Sequence, residues 1–218
     1  MILDSESAAR DWLKLLPEWD AVAQERLELL VSLLSAENQR QNLVSAVSLD
    51  RVWLRHIADS AQLLGHVPRE TSSPWLDLGT GAGFPGLVIA ALRPEIRIVF
   101  VESRARRAEW LESVRSTLAL DRAEVFAGRL ETLPDQEFRV ISARAFAPLP
   151  KLLDLSARFS TSDTQWLLPK GRSAAQELQE LHGWHHKFHV EQSLSDAEAG
   201  LIAGQLIGKM ARKKGTKS

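Results

Sequence analysis

Apolar residues in the first part of the chain recur three and four positions apart: Trp12, Leu13, Leu15 and Leu16, then Leu27, Leu29, Leu30, Leu33 and Leu34. That spacing predicts amphipathic helices, with Pro17 separating the first two. The polar run Glu37–Asn42 predicts a connector. A third helix is predicted to begin after Ser48 as N-cap, to bury Val52, Trp53, Ile57 and Leu64, and to end near Gly65. From Pro74 onward, short apolar runs alternate with amphipathic segments, the pattern of βαβ units around a parallel sheet. Strands are predicted near 75–79, 96–101, 123–127, 138–142, 165–168, 186–190 and 200–207, and helices near 85–92, 104–119, 149–159 and 172–183.

These elements make an α/β protein with an open, mostly parallel, seven-stranded sheet and an N-terminal helical extension. Residues 1–70 form the extension, 71–208 the sheet domain and 209–218 a basic tail. No repeat is visible and no Pro/Gly/Ser-rich linker divides the chain, so the extension is predicted to pack on the sheet. Three glycines, Gly200, Gly204 and Gly208, make the last strand the weakest of the predictions.

At 218 residues, 44% hydrophobic and 25% charged, the chain reads as one globular α/β domain with an extension. It has no cysteine, which excludes disulfides, thiolate metal sites and cysteine nucleophiles. The first residues carry neither a basic nor an apolar leader, and no stretch has the length of a membrane span, so a cytoplasmic protein without membrane contact is expected. A net charge of -1 means that any nucleic acid must be met by a local patch. Two are present: Arg104, Arg106 and Arg107, and the tail residues Lys209, Arg212, Lys213, Lys214 and Lys217.

The strand Trp75-Leu76-Asp77-Leu78 runs into Gly79, Gly81 and Gly83, then Phe84 and Pro85, which opens a helix. About 20 residues on, Glu102 ends the next strand, where an acidic side chain can hold ribose hydroxyls. Nicotinamide dinucleotide sites share that spacing, but here the glycines run G-x-G-x-G. Forcing G-x-G-x-x-G through Gly81, Gly83 and Gly86 puts Phe84 and Pro85 where a pyrophosphate should sit. Asp77 ahead of the loop suits a sulfonium or amino group better than a phosphate; alternatively it caps the following turn. The loop therefore favours S-adenosylmethionine.

The segments Asp77-Leu78-Gly79-Thr80-Gly81-Ala82-Gly83-Phe84-Pro85-Gly86, Val101-Glu102-Ser103, Ser142-Ala143-Arg144-Ala145-Phe146 and Leu168-Pro169-Lys170-Gly171 together resemble one family. It is the small-subunit ribosomal RNA guanine-N7 methyltransferase G family, also called glucose-inhibited division protein B. Asn42-Leu43-Val44-Ser45 and Arg55-His56-Ile57-Ala58-Asp59-Ser60 are similar to its N-terminal signatures. The resemblance implies a class I methyltransferase (Rossmann-like) sheet, S-adenosylmethionine as methyl donor and N7 of a guanine in 16S ribosomal RNA, near the decoding region, as acceptor. It also implies that Gly79, Phe84, Leu130 and Glu131 contact the cofactor and that Arg144 lines the site.

Methyl transfer from a sulfonium is an in-line displacement that needs positioning and no covalent intermediate. Guanine N7 is an unprotonated lone pair, so no base is required. Arg144, at the carboxyl end of the fourth strand, is therefore assigned to positioning, through guanine O6, a phosphate or a carboxylate such as Glu102; the alternative is a surface pair with an acidic neighbour. Arg55 with Asp59 and His56 with Ser60 stand four apart on the third helix, as an RNA-binding edge, a brace for the glycine loop or an ordinary helix pair. Arg104, Arg106 and Arg107 oppose the dipole of the helix they open, which suggests phosphate contact, and Lys170 extends the same rim. His182, His185, His186 and His189 lack a completing ligand, so no metal is expected. The partner expected is 16S ribosomal RNA or the 30S subunit, met by a monomer. A small-metabolite methyltransferase and a non-catalytic RNA-binding assembly factor are the competing readings.

Overall fold

The computed structural model describes residues 2–71 and 74–210; the predicted tail lysines beyond Met210 lie outside them. The chain opens with α1 (Glu6–Leu13) and α2 (Ala21–Gln41), and Pro17 lies in the turn between them. Each helix starts on a side-chain cap: Ser5 Oγ accepts from the Ala8 amide at 3.2 Å and Asp20 Oδ1 from the Ala23 amide at 2.7 Å. The predicted connector Glu37–Asn42 is instead the end of α2. Polarity did not break the helix because Glu37 holds Gln41 and Arg40 through i,i+4 and i,i+3 contacts. The break comes at Asn42, in the left-handed region at φ 32°.

The third helical segment also differs from the expectation. Its cap is Ser45, not Ser48: Ser45 Oγ accepts from the Ser48 amide, and α3 is the short helix Ala46–Leu49. A π-helical turn (Trp53–Ala58), α4 (Asp59–Ala61) and a 3-10 turn (Gln62–His66) follow. Glu6, from α1, accepts from the amides of Trp53 and Leu54 at 3.1 and 2.7 Å and so starts the π turn. Val52, Trp53, Ile57 and Leu64 are buried as predicted. Because a π turn closes i to i+5, it re-aims the side chains that follow.

Next come β1 (Trp75–Leu78), α5 (Gly86–Leu92), β2 (Ile98–Glu102), α6 (Ala105–Thr117), β3 (Ala123–Ala127), β4 (Val140–Ala143), α7 (Leu149–Ser156), β5 (Gln165–Gly171), α8 (Ala174–Gln179), β6 (Trp184–His186), β7 (His189–Gln192) and β8 (Gly200–Lys209). The strand order is β3-β2-β1-β4-β5-β8-β6, with β7 also on β8. The strands β1 to β5 pair in parallel, and β8 runs antiparallel to β5, β6 and β7. The sheet thus has eight strands rather than the seven expected. The strand predicted at 186–190 is split: β6 and β7 lie end to end along the same side of β8, with Lys187 and Phe188 between them. Gly204 of β8 explains the split. Its φ is +134°, and a Cβ there would stand 2.4 Å from the Lys187 carbonyl oxygen, so the glycine lets the edge chain press in and bulge.

Alternate strand residues face opposite ways, and the core divides accordingly. Trp75, Ile98 and Phe100 pack with α5, α6 and the N-terminal helices, whereas Leu76, Leu78, Val99, Val101 and Ile141 pack with α7 and the β6–β8 region. The N-terminal helices share one continuous apolar cluster with α5, the helix that follows the glycine loop. No helix among the described residues is long and apolar enough to cross a membrane.

Candidate active site

The glycine loop crosses from β1 to α5 at the carboxyl edge of the sheet, beside the point where the chain order reverses between β1 and β4. Gly79 and Gly81 stand at φ +62° and +60°, in the left-handed region that a side chain with a Cβ rarely adopts. Backbone bonds hold the turn: the Thr80 amide donates to Val101 O at 3.1 Å and the Gly83 amide to Thr80 O at 2.9 Å. From α6, Trp110 Nε1 donates to Ala82 O at 3.0 Å.

Glu102 is buried beside this loop and receives the Gly81 amide on Oε2 at 3.0 Å and the Arg104 amide on Oε1 at 2.8 Å. Each carboxylate oxygen keeps a lone pair for a hydroxyl donor. Next to it opens a cavity of about 330 Å³, floored by Gly79 and bounded by Glu102, Leu130, Glu131, Arg107 and Phe146. The residues fit an adenosyl group: a shallow apolar wall at Leu130, an acidic acceptor for ribose hydroxyls, and a floor of bare backbone. Of the residues expected at the cofactor, Gly79, Glu102, Leu130 and Glu131 thus come together, and Phe146, unassigned from sequence, joins them. A Cβ at Gly79 would stand 2.6 Å from Phe146 Cδ2, so this ring lies directly on the loop.

Asp77 does not line that cavity. Its carboxylate is fully buried behind the loop, where Oδ2 accepts from the Gly86 amide at 3.2 Å and Oδ1 from Ser142 Oγ at 2.5 Å. Ser142 in turn accepts from Trp75 Nε1 at 2.9 Å. Burial pushes the Asp77 carboxyl up to about 6 in spite of hydrogen bonds from Ser142, Thr80 and Gly86. The capping alternative is therefore the one its geometry matches, and a direct attraction to a cationic ligand is corrected. The amide at the start of α5, where a pyrophosphate would bind, is already held by Asp77.

Phe84 and Arg144 also lie away from the glycine-loop cavity. Phe84 is buried and stacks on His56, with ring centroids 4.7 Å apart, while the Arg144 guanidinium stands 5.1 Å from the Phe84 ring centre. Arg144 reaches Asp59 Oδ2 at 3.4 Å, Arg55 O at 3.4 Å and His56 Nδ1 at 3.1 Å. Arginine only donates, so Nδ1 is the acceptor and the His56 proton sits on Nε2, which is buried without a partner. Burial, then the Arg144 and Arg55 charges, hold the His56 pKa down to about 3, so the ring is neutral. His56 is thus no exposed RNA-binding edge. Arg144 pairs with Asp59 rather than Glu102, and Arg55, expected beside Asp59, pairs with Asp196 at 3.0 Å. The π turn accounts for the exchange of partners.

Arg55, His56, Asp59, Arg144 and Asp196 line a cavity of about 280 Å³ between the third helical segment, Ala145, Pro169 and the β7–β8 loop. Asp59 Oδ1 accepts from Ser195 Oγ at 2.6 Å, and the Leu194 amide donates to Gln62 Oε1 at 2.8 Å. Sequence reasoning missed Gln62, three residues from Asp59, and Ser195 and Asp196, which come from a distant segment that only the folded chain brings to it.

The basic residues separate by location. Arg104 and Arg107 line the glycine-loop cavity, Arg106 is exposed, and Lys170 is not on the rim. The Lys170 side chain is only 8% exposed and is paired with Glu177. Arg106→Ala is expected to weaken RNA binding and reduce the salt slope by about 0.9, the loss of one phosphate contact. Arg107→Ala should instead raise the KM for the cofactor and leave that slope alone. Filter binding over a salt series, with cofactor titration, checks both.

Among solved structures, an MtNAS variant in complex with S-adenosylmethionine shares the fold at a TM-score of 0.55 and 16% identity, covering 93% of this chain and 84% of that one. A chain of a fibrillarin–Nop5p complex does so at 0.56 and 15%, covering 71% and 82%. The sheet order, the glycine-rich crossover and Glu102 beside it define a class I S-adenosylmethionine-dependent methyltransferase. Residues 23–197 match the model of the family described as rRNA small subunit methyltransferase G. The ribosomal RNA small subunit methyltransferase G of Erythrobacter litoralis is 60% identical over 85% of this chain and 90% of its own length. That of Novosphingobium aromaticivorans is 55% identical over 95% and 91%. The chain belongs to this family.

Proposed function

We propose that this chain transfers a methyl group from S-adenosylmethionine to N7 of a guanine in 16S ribosomal RNA near the decoding region. It acts in the cytoplasm, as a monomer, on the RNA or the 30S subunit. The observation that carries the reading is the pairing of two cavities across one loop. The glycine loop and Glu102 bound one, and Arg144, Asp59 and Ser195 line the other.

When bound, S-adenosylmethionine supplies an electrophilic methyl group. The protein's residues supply position. Gly79 and Gly81 admit the ligand to the backbone, and Glu102 offers acceptors to ribose hydroxyls. On the acceptor side, Asp59 balances the Arg144 charge, so that guanidinium can face a ring that becomes positive on N7 methylation. Its remaining N–H groups suit guanine O6, the major-groove neighbour of N7. No side chain has to remove a proton, in keeping with a His56 held neutral and buried.

The test is incubation of 30S subunits lacking the modification with labelled S-adenosylmethionine, followed by mapping of the labelled base. Label confined to N7 of one 16S guanine is the expected result. Label at another atom or on no RNA overturns it.

A further inference from the structure

Read from sequence, Lys170 looks like one more cation for a phosphate. Its surroundings point elsewhere. Lys170 Nζ donates to the Ala147 carbonyl at 2.6 Å and meets Glu177 Oε2 at 2.9 Å. The same Glu177 oxygen accepts from the Leu149 amide, at the start of α7, at 2.8 Å, and Oε1 accepts from Ser173 Oγ at 2.8 Å. Burial acts to raise the Glu177 carboxyl, but the bonds from Lys170, Ser173 and the Leu149 amide outweigh it and hold it low. One ion pair therefore grips the β4–α7 loop twice, at Ala147 O and at Leu149 N.

That loop separates the donor cavity from an adjoining one. Ala145, Phe146 and Ala147 line both the glycine-loop cavity and a neighbouring cavity of about 550 Å³ that Arg144, Pro169 and Lys170 also bound. It starts under strain, since Ala145 has φ +53°, a conformation that persists only where surrounding contacts enforce it. Phe146 then lays its ring against Gly79. A carbonyl held by a buried ammonium and a helix start capped by a carboxylate are such contacts.

We propose that Lys170 and Glu177 are positioning residues for methyl transfer: as a clamp on Ala147 and Leu149 they fix the Phe146 wall between the donor cavity and the adjoining cavity, which shares Arg144, Ala145 and Pro169 with the acceptor side. The proposal rests on the methyl-transfer reading above. Lys170 acts through the loop without touching either ligand; it sets the distance across which the reacting atoms meet, and displacement on the order of 1 Å can cost about 100-fold in rate.

The experiment compares Lys170→Met, Lys170→Arg and Glu177→Gln. Lys170→Met is expected to lower kcat about 10- to 100-fold, with KM for S-adenosylmethionine and RNA within threefold and the salt slope of RNA binding unchanged. Lys170→Arg, still a donor to both partners, recovers most of that loss. Glu177→Gln keeps an acceptor for the Leu149 amide and loses about three- to tenfold. Hydrogen exchange over residues 145–152 reads the loop without any substrate and should rise about tenfold in Lys170→Met. A salt slope reduced by about 0.9 with kcat intact makes Lys170 a phosphate contact and overturns the clamp. Unchanged kcat in Glu177→Gln, or unchanged exchange in Lys170→Met, overturns it too. Exchange that rises in the variant while the native protein methylates no RNA supports the clamp and faults the assigned reaction instead.

Discussion

Gly81→Val is expected to lower S-adenosylmethionine affinity more than 100-fold and to abolish methylation, while the protein still folds. Gly81 sits at φ +60°, where a β-branched residue costs about 1–3 kcal/mol. Its new Cβ would stand 3.4 Å from Arg107 Nη1 and 4.0 Å from Glu102 Oε2, so the branch methyls enter the space that a ligand needs. The amide bond from Gly81 to Glu102 would also be displaced, which removes the contact that fixes the ribose acceptor. Gly81→Ala, with the backbone penalty and no branch, should lose less. Calorimetric titration checks the affinity and circular dichroism the fold. Wild-type affinity in Gly81→Val would show that this loop is not the cofactor cradle.

Acid should weaken the fold through His56 and strengthen it through Asp77. The folded pKa of His56 is depressed to about 3, so its contribution is present above its ordinary pKa of 6.5 and is lost as pH falls. Between pH 7 and 4 that loss is on the order of 3 kcal/mol. The folded pKa of Asp77 is raised to about 6 from 3.8, so its contribution is largest in acid and disappears as pH rises through 6. Over the same interval it amounts to about 2 kcal/mol in the opposite sense. In urea titrations at pH 7 and pH 4, the native protein should therefore lose about 3 kcal/mol relative to His56→Gln and gain about 2 relative to Asp77→Asn. Parallel stability profiles would contradict these environments.

Local chemistry explains which features could be read before folding. The glycine spacing, Pro85 and the apolar strand ahead of them act within a few residues, and Glu102 follows at the spacing that one βαβ unit imposes, so the loop and its acidic neighbour were visible. Asp77 was visible too, but its direction was not: whether the carboxylate faces a ligand or Gly86 depends on Ser142, 65 residues away. Lys170 looked like a free cation because Glu177 lies on the next helix and Ala147 on another loop. Arg55 and Asp59 have helical spacing, yet a π turn gave each a different partner. The strand count failed at a bulge, where Gly204 accommodates Lys187 across an edge that no single-strand pattern reports.

The Leu3 amide donates to Leu194 O at 2.7 Å. Leu194 belongs to the same β7–β8 loop whose Ser195 bonds to Asp59, so the segment at Leu3 is stitched to a wall of the cavity that Arg144 and Asp59 line. For protein engineering, that makes the amino end a poor anchor. A purification tag or surface tether joined just ahead of Leu3 pulls on that cavity wall, whereas a label on the exposed Leu15 turn leaves the seam untouched.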